Sequence, residues 1–187
     1  MTFTLPIENL RARGACAPEC DGLAILFPDG IIPFDQSHFQ LLVDSGITLM
    51  WGTALLAAEH RTAIALAWFD RAVALGAPSW KDPIRALVAT PDVVPASEQL
   101  ALRLEDRRAA DPTDGTAVAL AGLGYAASAY ATKMVDNPSP VQVHASMGLL
   151  ATWAAQCASI AEDLPKPTVM VQFQQDVWSK LVQYGAA

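Results

Sequence analysis

The sequence predicts an all-α fold: a compact antiparallel bundle of about seven or eight helices, or a stack of helical hairpins, with a small N-terminal β-hairpin. The first reason is composition, because 52% of the 187 residues are hydrophobic and only 17% are charged. Alanine dominates the apolar residues and has the highest helix propensity. The second reason is punctuation, because prolines, glycines and capping residues divide the chain into helical lengths with short connections. We expect a single domain over residues 1–187.

The N-terminal segment, residues 1–35, differs from the helical body that we expect over residues 36–187. Two short apolar runs, residues 23–27 and 31–34, flank a Pro-Asp-Gly sequence. An aspartate–glycine turn between β-favouring runs predicts a hairpin. Pro33 would confine its strand to an edge of that sheet.

Helix ends are marked by residues with known capping preferences. Asp35 and Ser139 precede helical segments, and both residue types are favoured N-caps. Apolar side chains in the last segment recur three or four residues apart, which predicts an amphipathic helix. These side chains are Met170, Phe173, Val177, Leu181 and Tyr184. The other predicted helices cover about residues 36–43, 47–58, 61–75, 97–110, 114–135 and 141–162, with a short helix after residues 82–83.

Charge and targeting signals exclude several classes of protein. The net charge of −7 and the pI near 4.8 disfavour a nucleic-acid binder, which needs lysine and arginine to neutralise phosphates. The longest charge-free apolar stretch, residues 117–131, is shorter than the roughly 18–20 residues that span a bilayer. There is no secretory signal pattern, and the cysteine count of 3 is odd. We therefore expect a soluble cytoplasmic protein with free thiols and no membrane span.

Residues 122–127 match the G-x-G-x-x-A form of the dinucleotide-binding fingerprint. In that motif the glycines let the backbone approach a pyrophosphate at a helix N-terminus. A second strand ending in an acidic residue should follow about twenty residues later. That region instead holds an Asn-Pro-Ser-Pro sequence at residues 137–140. We expect these glycines to let helices approach closely, and we predict no cofactor.

No catalytic or metal-binding residue is predicted. Cys16 and Cys20 have a spacing that permits half of a zinc site, but the second half is missing, and whether they bind a metal stays open. Residues 144–148 match only the last positions of the G-x-S-x-G nucleophile elbow. No pair of histidines has the spacing of a helical metal site. The histidines are His38, His60 and His144.

Partner contacts are predicted at Trp80, Arg103 and Arg107. The chain has 5 tryptophans, and tryptophan is enriched among interface hot spots. Trp80 lies in a predicted loop, where helix packing explains it least. Arg103 and Arg107 share a predicted helix face that could grip a carboxylate or a phosphate. Core packing of Trp80 and a solvated face of mixed charge are the open alternatives.

Several stretches carry a resemblance to a known family: residues 55–61 running into 65–68, residues 111–114 before an alanine-rich helix, and Pro140 leading to residues 149–153. Over roughly residues 40–181 the chain resembles a family of small alanine-rich helical proteobacterial proteins of unknown function, associated with type VI secretion gene clusters. The family's usual Trp-Ser-Gly-Gly stretch is absent, because Trp153 is followed by Ala-Ala-Gln. The resemblance implies a cellular context and assigns no functional residue.

These observations favour a non-enzymatic protein-interaction module, either an adaptor or chaperone-like accessory or a scaffold. Its partner would be another protein, such as a secretion component or an effector, and a homo-oligomer is also open. An acidic surface would steer association with a basic partner. One alternative is an immunity protein that neutralises a basic toxin. Another is a helical enzyme or small-ligand-binding protein whose pocket brings His144 and one of the arginines together.

Overall fold

The computed structural model describes residues 3–75, 82, 85, 88, 89, 115–134 and 137–185. These residues form an all-α fold with one small antiparallel sheet, which confirms the predicted fold class. The helices α1 to α4 are Ile7–Ala12, Ala17–Leu26, Gln36–Asp44 and Ala58–Ala72, and α5 to α7 are Gly115–Lys133, Pro140–Glu162 and Lys166–Tyr184. Two 3₁₀ helices cover Met50–Leu55 and Val73–Leu75, and the strands are β1, Phe3–Pro6, and β2, Ile31–Phe34.

The two-stranded sheet pairs different segments from those that the sequence suggested. β2 is one of the predicted strands, but it pairs with β1, so that Leu5 lies opposite Ile32. Residues 23–27 were expected to form the other strand, and this is wrong, because α2 extends to Leu26. A proline in the first turn starts α2, and the helix buries Leu23. Both strands are edges in a two-stranded sheet, which suits Pro33.

The predicted N-caps are confirmed. Asp35 accepts hydrogen bonds from the backbone N–H groups of Ser37 and His38 at the start of α3. Ser139 and Gln142 form a capping box at the start of α6. These two helices begin where the sequence placed them because caps act through neighbouring residues.

The helix expected over residues 47–58 is instead the shorter 3₁₀ helix Met50–Leu55, and α4 begins at Ala58, earlier than predicted. Gly52 lies in the middle of this 3₁₀ helix and packs against α7. A Cβ atom added at Gly52 would lie 2.9 Å from Leu181 Cδ1. Glycine weakens a continuous α-helix, and here it permits the close approach. The expected helix over residues 97–110 and most of the segment after residues 82–83 lie outside the described residues.

The helix α6 lies at the centre of the described fold. It packs against α4, α5, α7 and the first 3₁₀ helix. Along one side its fully buried residues are small, which allows these neighbours to approach closely. They are Ala151, Ala154, Ala155 and Ala158.

The amphipathic helix α7 covers the core as its periodicity predicted. Phe173, Val177 and Leu181 are buried, whereas Tyr184 is half exposed at the helix end. Trp178 is also buried, where it stacks on Phe34 with ring centroids 4.5 Å apart. The helix therefore connects the small sheet to the helical body.

The apolar stretch at residues 117–131 lies in α5, which packs on α6. None of the described helices combines the length and the apolar character that crossing a bilayer requires. The first glycine of the dinucleotide-like motif has a packing role, because a Cβ atom added at Gly122 would overlap the Trp153 ring. The indole ring of α6 thus occupies the space that the missing side chain leaves on α5.

We expect Gly122→Ala to lower the free energy of unfolding by roughly 1–3 kcal/mol, because the bulky Trp153 ring must move. Chemical denaturation followed by circular dichroism measures the change. The matched control is Gly148→Ala in α6, where an added Cβ would meet nothing within 4 Å. This control should gain about 0.5–1 kcal/mol from the higher helix propensity of alanine. Equal effects of the two substitutions would contradict the packing role of Gly122.

Candidate functional site

The predicted partner contacts Trp80, Arg103 and Arg107 lie outside the described residues and stay predictions. Cys16 and Cys20 are described: Cys16 is exposed at the start of α2, and Cys20 is buried. Within the described part of the chain, no group of three or more histidine, cysteine or acidic side chains could hold a metal ion.

The three histidines occupy separate environments. His38 Nδ1 lies 2.7 Å from Asp35 Oδ1 at the start of α3. His60 stacks on Tyr184, with ring centroids 3.9 Å apart. His144 lies on α6 and lines a small cavity. The structure therefore brings none of them into a shared set with another histidine.

Negative charge is concentrated near the N-terminus. Residues 14–60, which we call the acidic segment, contain no lysine or arginine. Their acidic residues are Glu19, Asp21, Asp29, Asp35, Asp44 and Glu59. Six negative charges and no positive charge give −6, whereas the whole chain has a net charge of −7. The rest of the chain is therefore nearly neutral, so the acidic character of the protein belongs mainly to this segment.

Local hydrogen bonds hold several of these carboxylates in place. Asp29 Oδ1 accepts from Ile31 N at 3.1 Å, and Asp44 Oδ1 accepts from Gln40 Nε2 at 2.7 Å. Asp35 Oδ1 accepts from the Ser37 hydroxyl at 2.7 Å and from two backbone N–H groups. The hydrogen bonds from Ser37, and then those from His38, lower the pKa of Asp35 from 3.8 to about 2. The Asp35 carboxylate therefore stays charged at neutral pH, and hydrogen bonds hold all three carboxylates in fixed positions.

Large apolar side chains are exposed within the same segment. Ile25 on α2 is 79% exposed, Ile31 on β2 is 41% exposed and Leu41 on α3 is 40% exposed. Other exposed apolar side chains are scattered over the later helices. The acidic segment therefore combines exposed apolar side chains with carboxylates held in place. Protein interfaces that bind a partner of opposite charge have this combination.

A polar network joins α4, α6 and α7 on another side of the body. The Trp68 indole N–H donates to Asp176 Oδ2 at 2.9 Å. Arg71 donates to Glu162 through Nε at 2.5 Å and to the Gln172 side chain. Burial raises the pKa of Asp176, whereas the hydrogen bond from Arg71 lowers the pKa of Glu162. The network satisfies a buried indole and fixes how the three helices meet.

A cavity of about 10 Å³ lies where α6 meets the first 3₁₀ helix and the end of α1. Its lining surface is mostly apolar, with Leu10, Ala54 and Pro140 among the lining residues, and Arg13, Trp51 and His144 also border it. Trp51 Nε1 and His144 Nδ1 are both buried and have no hydrogen-bond partner among the described residues. A buried polar atom without a partner costs free energy, so these two nitrogens are a local cost to the stability of the fold.

Comparison with models of known protein families, with curated proteins and with solved structures found no match. The arguments for function therefore rest on the sequence and on the described structure.

Sequence reasoning missed both features in different ways. The acidic segment was visible in the printed sequence as a long interval between Arg13 and Arg61 without a basic residue. The cavity joins Arg13, Trp51 and His144, which are far apart in the chain, so no spacing could have indicated it. The hypothesis of a pocket that brings His144 and an arginine together stays a prediction; the structure places His144 and Arg13 beside the same small cavity.

Asp35 should give the protein an acid-dependent contribution to stability. Its pKa is lower in the folded state, so its contribution is present above pH 3.8 and is lost as the pH falls toward 2. Asp35→Asn removes the charge and keeps an acceptor oxygen. We expect this variant to be less stable than the parent at neutral pH, with the difference shrinking as the pH falls from about 4 to about 2. Thermal unfolding over that pH range measures it, and a constant difference would contradict this assignment.

The hydrogen bond from Trp68 to Asp176 can be separated from the charge of Asp176. Asp176→Ala leaves the buried indole N–H of Trp68 unpaired, so we expect a loss of about 1–3 kcal/mol in unfolding free energy. Asp176→Asn keeps an acceptor oxygen and removes a charge that burial disfavours, so it should lose less than the alanine variant. Urea unfolding at neutral pH compares the two. Equal losses would mean that the charge, and not the hydrogen bond, is what matters.

Proposed function

We propose that this chain is a non-enzymatic protein-interaction module, an adaptor or chaperone-like accessory, that binds a basic segment of a partner protein through its acidic segment. The observation that carries the proposal is the charge of −6 over residues 14–60. The resemblance to proteins associated with type VI secretion clusters suggests a cytoplasmic role beside a secretion component or effector.

Charge is the first step in the argument. Fixed carboxylates of one sign attract a partner of the opposite sign and raise its rate of association. Asp29 and Asp44 are exposed and are held by hydrogen bonds, so little side-chain order has to be created on binding. Asp21 is also exposed, but Arg11 pairs with it at 2.8 Å. The attraction would therefore come mainly from those carboxylates of the segment that are not paired with a described basic side chain, as Asp21 is with Arg11.

Apolar contact is the second step. Surface charge alone contributes modestly to affinity, whereas buried apolar anchors contribute most of it. Ile25, Ile31 and Leu41 lie on α2, β2 and α3, the three elements that carry the acidic segment's exposed apolar side chains. A partner segment that alternates basic and apolar residues would complement both features.

An immunity protein that neutralises a basic toxin would use the same surface, so the acidic segment supports it as a second candidate. The two differ in what the cell loses when the protein is removed. Loss of an immunity protein exposes the cell to one cognate toxin, whereas loss of an adaptor prevents export of its partner.

The test begins with an affinity purification of the tagged chain from its native cells and identification of stoichiometric partners by mass spectrometry. The binding constant of the purified partner is then measured for Asp29→Asn with Asp44→Asn. Asparagine keeps an acceptor oxygen at both sites, so the fold should be retained. We expect weaker binding in this variant and a weaker salt dependence than the parent shows.

Two matched controls separate the acidic segment from the rest of the surface. Asp163→Asn removes an exposed charge outside the segment, at a left-handed position that asparagine tolerates. Ile25→Ser with Leu41→Ser should weaken binding about tenfold or more, whereas Val182→Ser, at a side chain 46% exposed on α7, should not. Equal losses in the controls and in the segment variants would contradict the proposal, as would a partner whose bound segment is acidic.

A further inference from the structure

We propose that the partner segment bound by the acidic segment is a helix with basic and apolar residues on one face, and not an extended strand added to the small sheet. This rests on the proposed function, because it names the form of the partner that the same surface binds. The reason lies in the backbone of the two-stranded sheet, whose outer edges offer little to a further strand. The partner is therefore left with side chains to contact.

The register of the sheet determines which backbone groups face outward. In an antiparallel pair, residues that exchange hydrogen bonds alternate with residues whose N–H and C=O groups point away from the neighbouring strand. Ile7 N donates to Gly30 O at 2.9 Å just beyond the paired strands, so this is a hydrogen-bonded pair. The outward-facing positions follow by alternation, and they are Thr4, Pro6, Ile31 and Pro33.

Three of these four positions have no N–H group for an incoming strand. Pro6 and Pro33 have no backbone N–H at all. Ile31 N already donates to Asp29 Oδ1 at 3.1 Å. Proline on an edge is one of the ways in which sheets avoid pairing with another chain. On the edges of the described sheet, this leaves the N–H of Thr4 for strand addition.

The backbone of the partner has to be satisfied when it is buried. Strand addition obtains its affinity from main-chain hydrogen bonds, and an extended segment buried here would leave carbonyl groups without donors. A helix satisfies its backbone within itself, so it can bind through side chains alone. The edges of the sheet therefore favour a helical partner over an extended one.

The side chains that remain available lie largely on helices. Ile25 on α2 and Leu41 on α3 are exposed, and the Phe27 and His38 rings, 5.7 Å apart between centroids, bring the end of α2 beside the start of α3. The exposed carboxylate of Asp29 complements lysine or arginine in the partner. The alternation of basic and apolar residues in such a partner would follow the turns of a helix, with apolar residues three or four apart.

The test uses two labelled peptides of about 14 residues, roughly four turns of helix, with the same leucine and lysine composition. In the helical peptide the leucines recur three or four residues apart, and in the alternating peptide they occupy every second position. Fluorescence anisotropy measures the dissociation constant of each peptide for the full chain. We expect the helical peptide to bind about tenfold more tightly or better and to gain helical circular dichroism when bound. Equal or tighter binding of the alternating peptide would overturn the helical form.

One substitution tests whether the closed edge is the reason. Pro33→Val restores an outward N–H on β2, so it should tighten binding of the alternating peptide roughly two- to tenfold and leave the helical peptide unchanged. The matched control is Pro28→Val, which removes an exposed proline of the same segment outside both strands. This control should change neither dissociation constant. An alternating peptide that gains nothing from Pro33→Val contradicts the role of the edge.

Asp29→Asn with Asp44→Asn distinguishes failure of the helical form from failure of the proposed function. We expect this variant to bind the helical peptide more weakly than the parent does. If neither peptide binds the parent, or if the variant binds both as tightly as the parent, the acidic segment is not the binding surface and both proposals are overturned. If the alternating peptide binds the parent best and the variant weakens it, the acidic segment stands as the binding surface and only the helical form is overturned.

Discussion

The close packing of α5, Gly115–Lys133, against α6, Pro140–Glu162, is the constraint on which the rest of the fold depends. Two helices can approach this closely only if the residues between them are small, and the Trp153 ring fills the space that the missing side chain leaves at Gly122. Because α6 also contacts α4, α7 and the first 3₁₀ helix, its position fixes theirs. The many alanines therefore have two effects: they favour helix formation, and their small side chains let the helices pack at short distances.

The second constraint is the way α7 connects the N-terminal elements to this helical body. The Trp178 indole donates to the Asp35 carbonyl, and the Gln174 side chain accepts from Leu49 N at 3.2 Å. On its other side α7 stacks Phe173 on Trp68, with ring centroids 4.9 Å apart. Each contact spans more than a hundred residues of sequence, so the acidic segment is held to the body by tertiary contacts. A surface fixed in this way loses little conformational entropy on binding a partner.

Local signals in the sequence predicted local structure, and they were wrong where a distant segment decided the outcome. The caps at Asp35 and Ser139 and the spacing of α7 depend on neighbouring residues, and the structure confirms them. Residues 23–27 have β propensity but form helix, because the strand that pairs with β2 comes from the start of the chain. Such pairing has no local signal. The same distinction applies to the sites: charge along the chain can be counted from sequence, whereas a cavity between three elements requires the fold.

The first 3₁₀ helix, Met50–Leu55, belongs to the acidic segment and packs against α6 and α7, so it is the element through which a partner at that segment could affect the helical body. A conformational response requires an element with two arrangements of similar free energy, one of which the ligand favours. The packing of this helix opposes a second arrangement. A Cβ atom added at Gly52 would lie 2.9 Å from Leu181 Cδ1 and 3.1 Å from Val177 Cγ1, so the backbone of the helix lies directly against α7. Moving the helix away from α7 would expose Trp51 and Leu55, which are buried in this arrangement. Binding of a partner to the acidic segment is therefore expected to leave the helical body in place.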